Sequence, residues 1–339
     1  MKLSSFKFEF EPTVHVPRVG DPTLNSINFI CETMDFTVSS SYTKLRSILD
    51  STSNDALPTL ASIQNAISRI PPSLPEKGLG NTATAAHLLS DLTPGFNGSK
   101  TSANYYGFVT GGVFPIAELA DNVVTAFDQN TAVHLPEHGV GTFVEAKALG
   151  MLVELLNLGD GWEGKTFTTG ATGSNVLGLA CGREAVLAKR LNGASIGELG
   201  IFTACMKAGV KEIQVLTTMG HSSLYKAASV VGLGRASVKD IPVDKDEPWR
   251  INLSALEDSL KQVEDGILSI VAISAGEVNT GMFAIDGILT MQKIRALCDD
   301  YGAWLHVDGG TVILFPQLFE SRLQYSSFWN FRTFAAKDR

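Results

Sequence analysis

The segment WLHVDGG, residues 304–310, places a single aspartate directly after an apolar stretch. A carboxylate at the end of a buried strand is unfavourable unless a cation lies next to it. A protonated ring nitrogen of a bound heterocycle meets this condition, because a neighbouring carboxylate raises the pKa of such a nitrogen. A metal ion would require more ligands than Asp308 and His306, and an aspartate that only caps the next turn is the remaining interpretation.

A glycine-rich turn in TTGATGSNVLGL, residues 168–179, is a second candidate binding element. The pattern predicts a strand that ends at Thr169 and a helix that begins near Ser174. Gly170 and Gly173 would allow a ligand to approach the backbone, and the N–H groups at a helix start bind phosphate well. The segment is neither a Walker A sequence nor a G-x-G-x-x-G fingerprint, so a nucleotide is not indicated, and a turn without a ligand is an equal alternative.

An imidazole follows the next predicted strand, in TTMGHSSLYKAA, residues 217–228. His221 either stacks on a flat cofactor or is a structural residue near a helix N-terminus that Ser222 caps. The segment by itself favours the structural interpretation. The functional interpretation depends on whether other candidate residues lie at the same edge of the fold.

The segment HLPEH, residues 134–138, matches the H-x-x-E-H pattern of one class of zinc enzymes letter for letter. That chemistry needs both histidines on one face of a continuous helix. Pro136 lies between them, lacks a backbone N–H and disfavours helical backbone at Leu135. We therefore predict a loop here rather than a helix that binds zinc.

Helices and strands alternate from about residue 104 to residue 308, which predicts an α/β domain with a mostly parallel sheet covered on both faces. In such a sheet, ligands bind at the carboxyl ends of the strands, where the first three segments above lie. The predicted strands are TFTTG, EIQVLTT, ASVKDIPV, ILSIVAIS and AWLHVD. The predicted helices include TLASIQNAISRI ahead of this region, and within it PIAELADNVVTAFDQN, SNVLGLACGREAVLAKRL, NLSALEDSLKQVEDG and TMQKIRALCDDYG.

The composition argues against several classes of protein. The 339 residues are 44% hydrophobic and 18% charged, as in an ordinary globular protein. A net charge of −8 argues against a nucleic-acid partner. The chain opens without the apolar region of a signal peptide, and no apolar run reaches membrane-spanning length. We expect a cytoplasmic protein whose four scattered cysteines are buried free thiols: Cys31, Cys181, Cys205 and Cys298.

These segments, in this order, resemble the group II decarboxylases that depend on pyridoxal 5′-phosphate (PLP), of the glutamate, aromatic L-amino-acid and histidine decarboxylase type. The resemblance covers roughly residues 85–309 and includes YYGFVTGG (105–112), GEVNTG (276–281) with Asp286 and, most specifically, HVDGG. It implies the PLP-dependent transferase-like fold, aspartate aminotransferase fold type I, with a mostly parallel sheet in its large domain. It also implies PLP as cofactor, an amino acid as substrate, loss of CO2 and a homodimer.

The resemblance implies a role for each candidate residue. Asp308 would bind the pyridine nitrogen and His221 would stack on the ring, and these are the two predicted catalytic residues. The other predicted cofactor contacts are the backbone around Ala171, Thr172 and Gly173 at the phosphate, and Asn279 or Thr280 at the ring face or the 3′-oxygen. No metal is expected.

The sequence departs from this family after Gly310. Such enzymes hold the cofactor on a lysine, typically in a His-Lys pair about thirty residues after the aspartate. Here the only lysine beyond Asp308 is Lys337. We therefore predict an N-terminal helical or irregular segment, 1–100, a partial PLP-binding large domain, 101–310, and a tail outside the family, 311–339.

The predicted function is PLP-dependent decarboxylation of an amino acid, with this chain inactive by itself because the Schiff-base lysine is absent. The small C-terminal domain would be missing, and the tail would be a gene-model or splicing artefact. Two alternatives stay open at this point. One is another lyase of the same fold, aldolase-like or a desulfurase, and the other is a catalytically dead truncated product.

Overall fold

The computed structural model of the protein describes residues 39–51, 55–107, 112–130, 133–156, 158–159, 161–277 and 279–310. The chain divides into two compact units, Met1–Asn122 and Val123–Arg339. The described part of the first unit is built from short helices. These are α1 (39–51), α2 (Leu60–Arg69), α3 (Gly80–Ala86), a π-helix (His87–Leu92) and a 3-10 turn (Thr93–Gly95). The predicted helix TLASIQNAISRI is confirmed as α2, which Thr59 caps by accepting from the N–H of Ser62.

The second unit contains alternating helices and strands, and α4 (Pro115–Ala126) spans the boundary between the units. Pro115 begins α4 as predicted, because the missing N–H of a proline costs nothing in a first helical turn. The elements that follow are α5 (Gly141–Leu155), α6 (Ala171–Ala188), α7 (Ile196–Leu199), α8 (Ile201–Ala208), β1 (Glu212–Thr217), α9 (Ser222–Val230), β2 (Val238–Asp240), α10 (Leu253–Lys261), β3 (Ile267–Ser274), α11 (Ile288–Asp300) and β4 (Trp304–Asp308).

The four strands form one parallel sheet in the order β2-β1-β3-β4. In its register, Val215 of β1 pairs with Val238 and with Ile270, and Ile270 pairs with Trp304. β1 and β3 are buried along almost their whole length, because alternate apolar residues pack into two separate cores. One core includes α6, α8 and α9, and the other includes α10 and α11. The predicted parallel sheet with two covered faces is therefore confirmed.

Two expectations about the start of α6 are wrong. Residues 162–168 form no strand, so TFTTG does not join the sheet. The helix begins at Ala171 instead of near Ser174. The cause is Gly170, whose φ of 103° lies in a region that favours glycine and lets the chain turn directly into the helix.

The three cysteines among the described residues are free thiols in three different environments. Cys298 is buried and Cys205 is partly buried, but Cys181 is exposed, so the expectation of buried thiols is wrong for Cys181. Cys181 lies on the outer side of α6, away from the residues of that helix that enter the core. Cys31 lies outside the described residues. Within the described ranges, no helix combines the length and the apolarity needed to cross a lipid bilayer.

Candidate functional site

Asp308 ends β4 at the carboxyl edge of the sheet, opposite Ser274 of β3. Its backbone carbonyl accepts a hydrogen bond from the N–H of Ala275 at 2.9 Å, which extends the ladder beyond the strand. Oδ2 of its side chain accepts from Nδ2 of Asn175 at 2.9 Å, and Oδ1 lies 3.5 Å from the N–H of Gly310. The carboxylate is thus held by α6 and by the following turn, and it keeps acceptor capacity for a cationic ligand.

Asn175 connects Asp308 to the other elements of the site. This residue of α6 is buried, with 2% exposure. Its Nδ2 group also donates to Oγ of Ser223 at 3.0 Å, and its Oδ1 lies 2.8 Å from Nε2 of His306. Both N–H donors and the oxygen of this amide therefore have partners, as a buried polar side chain requires.

α6 lies close to β4 because two of its residues have no side chain. A Cβ on Gly178 would lie 2.5 Å from Cε1 of His306, and a Cβ on Gly182 would lie 2.7 Å from Cδ1 of Trp304. These glycines and Asn175 share one face of the helix, because they are spaced by three and four residues. The glycines therefore set the distance between the helix and the strand that ends in the aspartate.

The start of α6 is an exposed helix N-terminus. No side chain within the described part of the chain caps it, and its first two residues are exposed. The hydroxyl of Thr168 donates to the carbonyl of Gly170 at 3.0 Å and lies 2.7 Å from the hydroxyl of Ser174. Unpaired N–H groups at the start of a long helix suit a phosphate. The three predicted phosphate contacts are the first three residues of this helix: Ala171, Thr172 and Gly173.

His221 lies in the turn between β1 and α9. Met219 has a left-handed φ of 44°, which is uncommon for a residue with a side chain. Gly220 has little room for one, because a Cβ there would lie 3.1 Å from Cγ2 of the last residue of β1. Nδ1 of His221 accepts from the N–H of Ser223 at 3.3 Å and lies 2.8 Å from its Oγ. His221 is itself the N-cap of α9, and the expectation that Ser222 caps this helix is wrong.

An open cleft of about 370 Å³ lies at the carboxyl ends of β1 and β3. This volume is within the range of small-molecule sites in proteins. Its lining comes from the turn after β1 and from the segment after β3: Met219, Gly220, His221, Ser222, Glu277 and Asn279. Two predicted site residues from separate segments, His221 and Asn279, therefore share one cleft.

Glu277 organises the segment after β3 and is only 5% exposed. Its carboxylate accepts from the N–H and Nδ2 of Asn279 at 3.0 and 2.6 Å, and from the N–H and Oγ1 of Thr280 at 2.9 and 3.0 Å. Burial by itself raises the pKa of Glu277, but these hydrogen bonds outweigh burial, and the pKa lies below its ordinary value. A charged Glu277 thus holds both predicted residues in place.

Residues 133–140 form turns and coil, which confirms the loop predicted from Pro136. Nδ1 of His134 lies 2.7 Å from Oγ1 of Thr142, and its ring contacts Phe143 edge-on at a centroid distance of 5.3 Å. The His134 side chain is therefore engaged with the start of α5. Across the residues that the structure describes, no group of three or more His, Cys, Asp or Glu side chains is placed to hold a metal ion.

Three residues of the site were not predicted from the sequence: Asn175, Ser223 and Glu277. A usable signal existed for Asn175, which lies one helical turn before the buried Leu179 of α6. A polar residue on the apolar face of a helix needs buried hydrogen-bond partners, so its position in the sequence indicates a buried polar contact. Ser223 and Glu277 gave no comparable signal, since their partners lie in short turns that sequence patterns do not resolve.

An open parallel sheet with a carboxylate, an imidazole and an uncapped helix start at one edge defines a cofactor-binding α/β domain. A family model described as the pyridoxal-dependent decarboxylase conserved domain matches residues 100–325. The chain belongs to the pyridoxal-dependent decarboxylase family, as the sequence resemblance implied. The cofactor of this family is PLP.

Two curated relatives show how much of the family the chain represents. An L-2,4-diaminobutyrate decarboxylase from Acinetobacter baumannii is 29% identical over 209 residues, which are 59% of this chain and 39% of the relative. An L-aspartate decarboxylase from Metarhizium robertsii is 26% identical over 232 residues, which are 67% of this chain and 42% of the relative. The chain therefore spans less than half the length of these two proteins.

Solved structures confirm the predicted fold. The glutamate decarboxylase domain of a diaminobutyrate-pyruvate transaminase and L-2,4-diaminobutyrate decarboxylase from Vibrio parahaemolyticus superposes with a TM-score of 0.66 at 20% identity. That match covers 92% of this chain and 63% of the other. Mouse CSAD in its apo form gives a TM-score of 0.63 at 19% identity, covering 85% of this chain and 57% of the other. The described sheet is that of fold type I.

Proposed function

We propose that the protein containing this chain is a PLP-dependent decarboxylase of an L-amino acid, and that residues 168–310 form its cofactor-binding edge. One observation carries this proposal: Asp308, His221 and the first turns of α6 are joined in one hydrogen-bonded network. PLP, when bound, supplies an electron sink for the pair released as the substrate carboxylate leaves as CO2. The two relatives named above are amino-acid decarboxylases, which supports this class of reaction.

The groups present fit the different parts of PLP. The start of α6, where Gly170 turns the chain at a φ of 103° and no described side chain occupies the helix end, suits the phosphate. The Asp308 carboxylate suits a protonated pyridine nitrogen, and the imidazole of His221 suits the face of a flat ring. Asn279, held by Glu277 at the same cleft, would bind the 3′-oxygen side.

The main task of Asp308 in this proposal is electrostatic. A carboxylate beside the pyridine nitrogen raises the pKa of that nitrogen and keeps a proton on it. The hydrogen bond from Asn175 occupies one position on Oδ2 and leaves the remaining lone pairs for the ligand. The substrate would enter from the cleft that His221 and Asn279 line.

We also propose that the protein is a cytosolic homodimer. Val144, Met151 and Leu155 are 59%, 65% and 61% exposed, and their spacing places them on one face of α5. An apolar stripe of this kind is expected to be covered, and a second copy is the occupant that the family resemblance favours. Light scattering of the purified chain tests this proposal: Met151→Glu should shift a dimer towards monomer, and a monomeric parent chain would contradict it.

Titration of the purified 339-residue chain with PLP tests the proposed site. Asp308→Asn should weaken PLP binding about tenfold or more, because a charged hydrogen-bonding partner of the ring nitrogen is lost. Asp240→Asn is the matched control. Asp240 ends β2, which is three strands away from β4 and about 14 Å across the sheet, and it accepts from the hydroxyl of Tyr225 instead. Equal PLP affinity of Asp308→Asn and the parent chain would contradict the proposed site.

A further inference from the structure

We infer that Asn175 is a positioning residue that fixes the Asp308 carboxylate and, through Ser223, sets the tautomer of His221. The contacts form one continuous series from His306 through Asn175 and Ser223 to His221, with Asp308 as a branch. The importance of this series for cofactor binding rests on the proposed function, whereas the hydrogen bonds belong to the chain itself.

The orientation of the Asn175 amide follows from its two neighbours on β4. An ionised carboxylate only accepts hydrogen bonds, so the group 2.9 Å from Oδ2 of Asp308 must be the NH2 group. The amide oxygen then faces Nε2 of His306 at 2.8 Å, and this nitrogen must carry a hydrogen. Burial, opposed by the charge of Asp308, lowers the pKa of His306, so its ring is neutral and has one hydrogen to place.

Ser223 transmits this orientation to His221. The second N–H of the Asn175 amide donates to Oγ of Ser223 at 3.0 Å, so this oxygen acts as an acceptor there. The hydroxyl hydrogen of Ser223 is then available for Nδ1 of His221 at 2.8 Å. The backbone N–H of Ser223 is directed at the same nitrogen at 3.3 Å. Nδ1 accepts from both groups, which places the hydrogen of the neutral His221 ring on Nε2.

Burial makes this arrangement the single favourable one. Asn175 and Ser223 are each 2% exposed, so water does not compete for their polar groups. Reversing any one hydrogen bond would leave a buried donor or acceptor without a partner, and that is costly in the interior of a protein. An exposed imidazole at the cleft therefore has its tautomer set by a buried amide on a different helix.

Nitrogen NMR of the PLP-free chain, labelled with 15N-histidine, tests the inference directly. The sequence has six histidines, and the signals of His221 and His306 are assigned from their disappearance in His221→Gln and His306→Gln. In the parent chain both rings should show hydrogen on Nε2 and none on Nδ1. Ser223→Ala should move His221 towards a mixture of tautomers and leave His306 unchanged. Asn175→Leu should disturb both rings.

Two control variants remove other buried polar groups of the same unit. Ser237→Ala deletes a hydroxyl that donates to the carbonyl of Gly234 at 2.8 Å, and Gln214→Leu deletes an amide that donates to Ser269 and Ser259. Both should lower stability without changing the His221 signals. The inference is overturned if Ser223→Ala leaves the His221 tautomer unchanged, or if a control variant shifts it equally.

PLP titration separates this inference from the proposed function. Asn175→Leu should weaken PLP binding about tenfold, since the carboxylate loses the donor that orients it. Ser223→Ala, which leaves the Asn175–Asp308 hydrogen bond in place, should weaken it less. If the parent chain binds no PLP, the proposed function is wrong. The NMR measurement would still show which ring nitrogen of His221 carries the hydrogen. If Asn175→Leu binds PLP as well as Gln214→Leu does, Asn175 does not position Asp308.

Discussion

Gly178 of α6 lies so close to His306 of β4 that a Cβ on the glycine would be 2.5 Å from Cε1 and 2.6 Å from Nδ1 of the imidazole. The same ring, through Nε2, is hydrogen-bonded to Asn175, one helical turn earlier. The glycine faces the Cε1 and Nδ1 atoms of the ring and the hydrogen bond is made at Nε2, so both constrain the position of one imidazole. Together they place the helix at the distance at which its amide reaches the Asp308 carboxylate.

We predict that Gly178→Ala destabilises the protein by about 1–3 kcal/mol and weakens PLP binding, because the new methyl group displaces the His306 ring. The intrinsic helix preference of alanine works in the opposite direction by about 1 kcal/mol. Gly150→Ala is the control, because Gly150 lies inside α5 and a Cβ there meets nothing within 4 Å. In urea unfolding, Gly150→Ala should be as stable as the parent chain or slightly more stable. If Gly178→Ala has the stability and the PLP affinity of the parent chain, the prediction is wrong.

Local patterns predict the four strands of the sheet, but they also predict a fifth strand that does not form. ILSIVAIS coincides with β3, Ile267–Ser274. A short run of β-branched and aliphatic residues is typical of a parallel strand that is buried on both faces. The same reasoning fails at TFTTG, where Thr168 makes a local hydrogen bond at the turn into α6 and the segment does not join the sheet. Local composition alone did not distinguish these two outcomes.

The candidate site was predictable only in part. Asp308 and His221 were expected at one edge, because the carboxyl ends of parallel strands meet there. The link between them was not predictable, since Asn175 and Asp308 are 133 positions apart in the chain. Their distance depends on how closely α6 packs on β4. That packing depends on two glycines of the helix, Gly178 and Gly182, which face the side chains of His306 and Trp304. Sequence periodicity identifies a helix face but not the residue opposite it.

We predict that His221→Ala weakens PLP binding about fivefold, as expected for loss of an aromatic contact of about 1 kcal/mol. His221→Asn separates this effect from the role of His221 as the N-cap of α9. Asparagine retains a capping oxygen but lacks the ring, so it should match alanine in PLP affinity and the parent chain in stability. If His221→Asn binds PLP like the parent chain, the imidazole does not stack on the cofactor.

The lowered pKa of His306 predicts how stability depends on pH. Above its ordinary value of 6.5 the ring is neutral in the folded and the unfolded chain, so His306 contributes no pH dependence there. As pH falls from 6.5 towards the folded pKa, the unfolded chain takes up a proton that the folded chain resists. The free energy of unfolding therefore decreases in this window, because the unfolded state binds more protons.

Urea unfolding of the parent chain and of His306→Gln between neutral and mildly acidic pH measures this effect. The variant should be less stable at neutral pH, since the hydrogen bond to Asn175 is perturbed, but its stability should fall less steeply below pH 6.5. His134→Gln, which removes a histidine from the loop before α5, is the control variant. Parallel curves for the parent chain and His306→Gln would contradict the assignment.

Covalent attachment of PLP requires a lysine within reach of the cofactor. The cleft lining contains no lysine among the described residues. The only lysine after Asp308 in the sequence is Lys337, which lies outside the described residues. In this family a lysine would hold PLP covalently, and a chain that binds PLP only through hydrogen bonds and stacking would lack this attachment. We therefore expect this 339-residue chain, assayed by itself, to bind PLP reversibly.

Gel filtration should remove the bound PLP, and borohydride reduction followed by peptide mapping should show no lysine labelled in proportion to bound PLP. Release of CO2 from aspartate, 2,4-diaminobutyrate, glutamate or tryptophan should equal that of PLP in buffer. Lys337→Ala should behave like the parent chain in each measurement, because Lys337 is flanked by FAA and DR and not preceded by histidine. Stoichiometric labelling of Lys337, together with CO2 release that Lys337→Ala abolishes, would contradict this prediction. It would show that a lysine in another sequence context had taken the place of the one expected in the family.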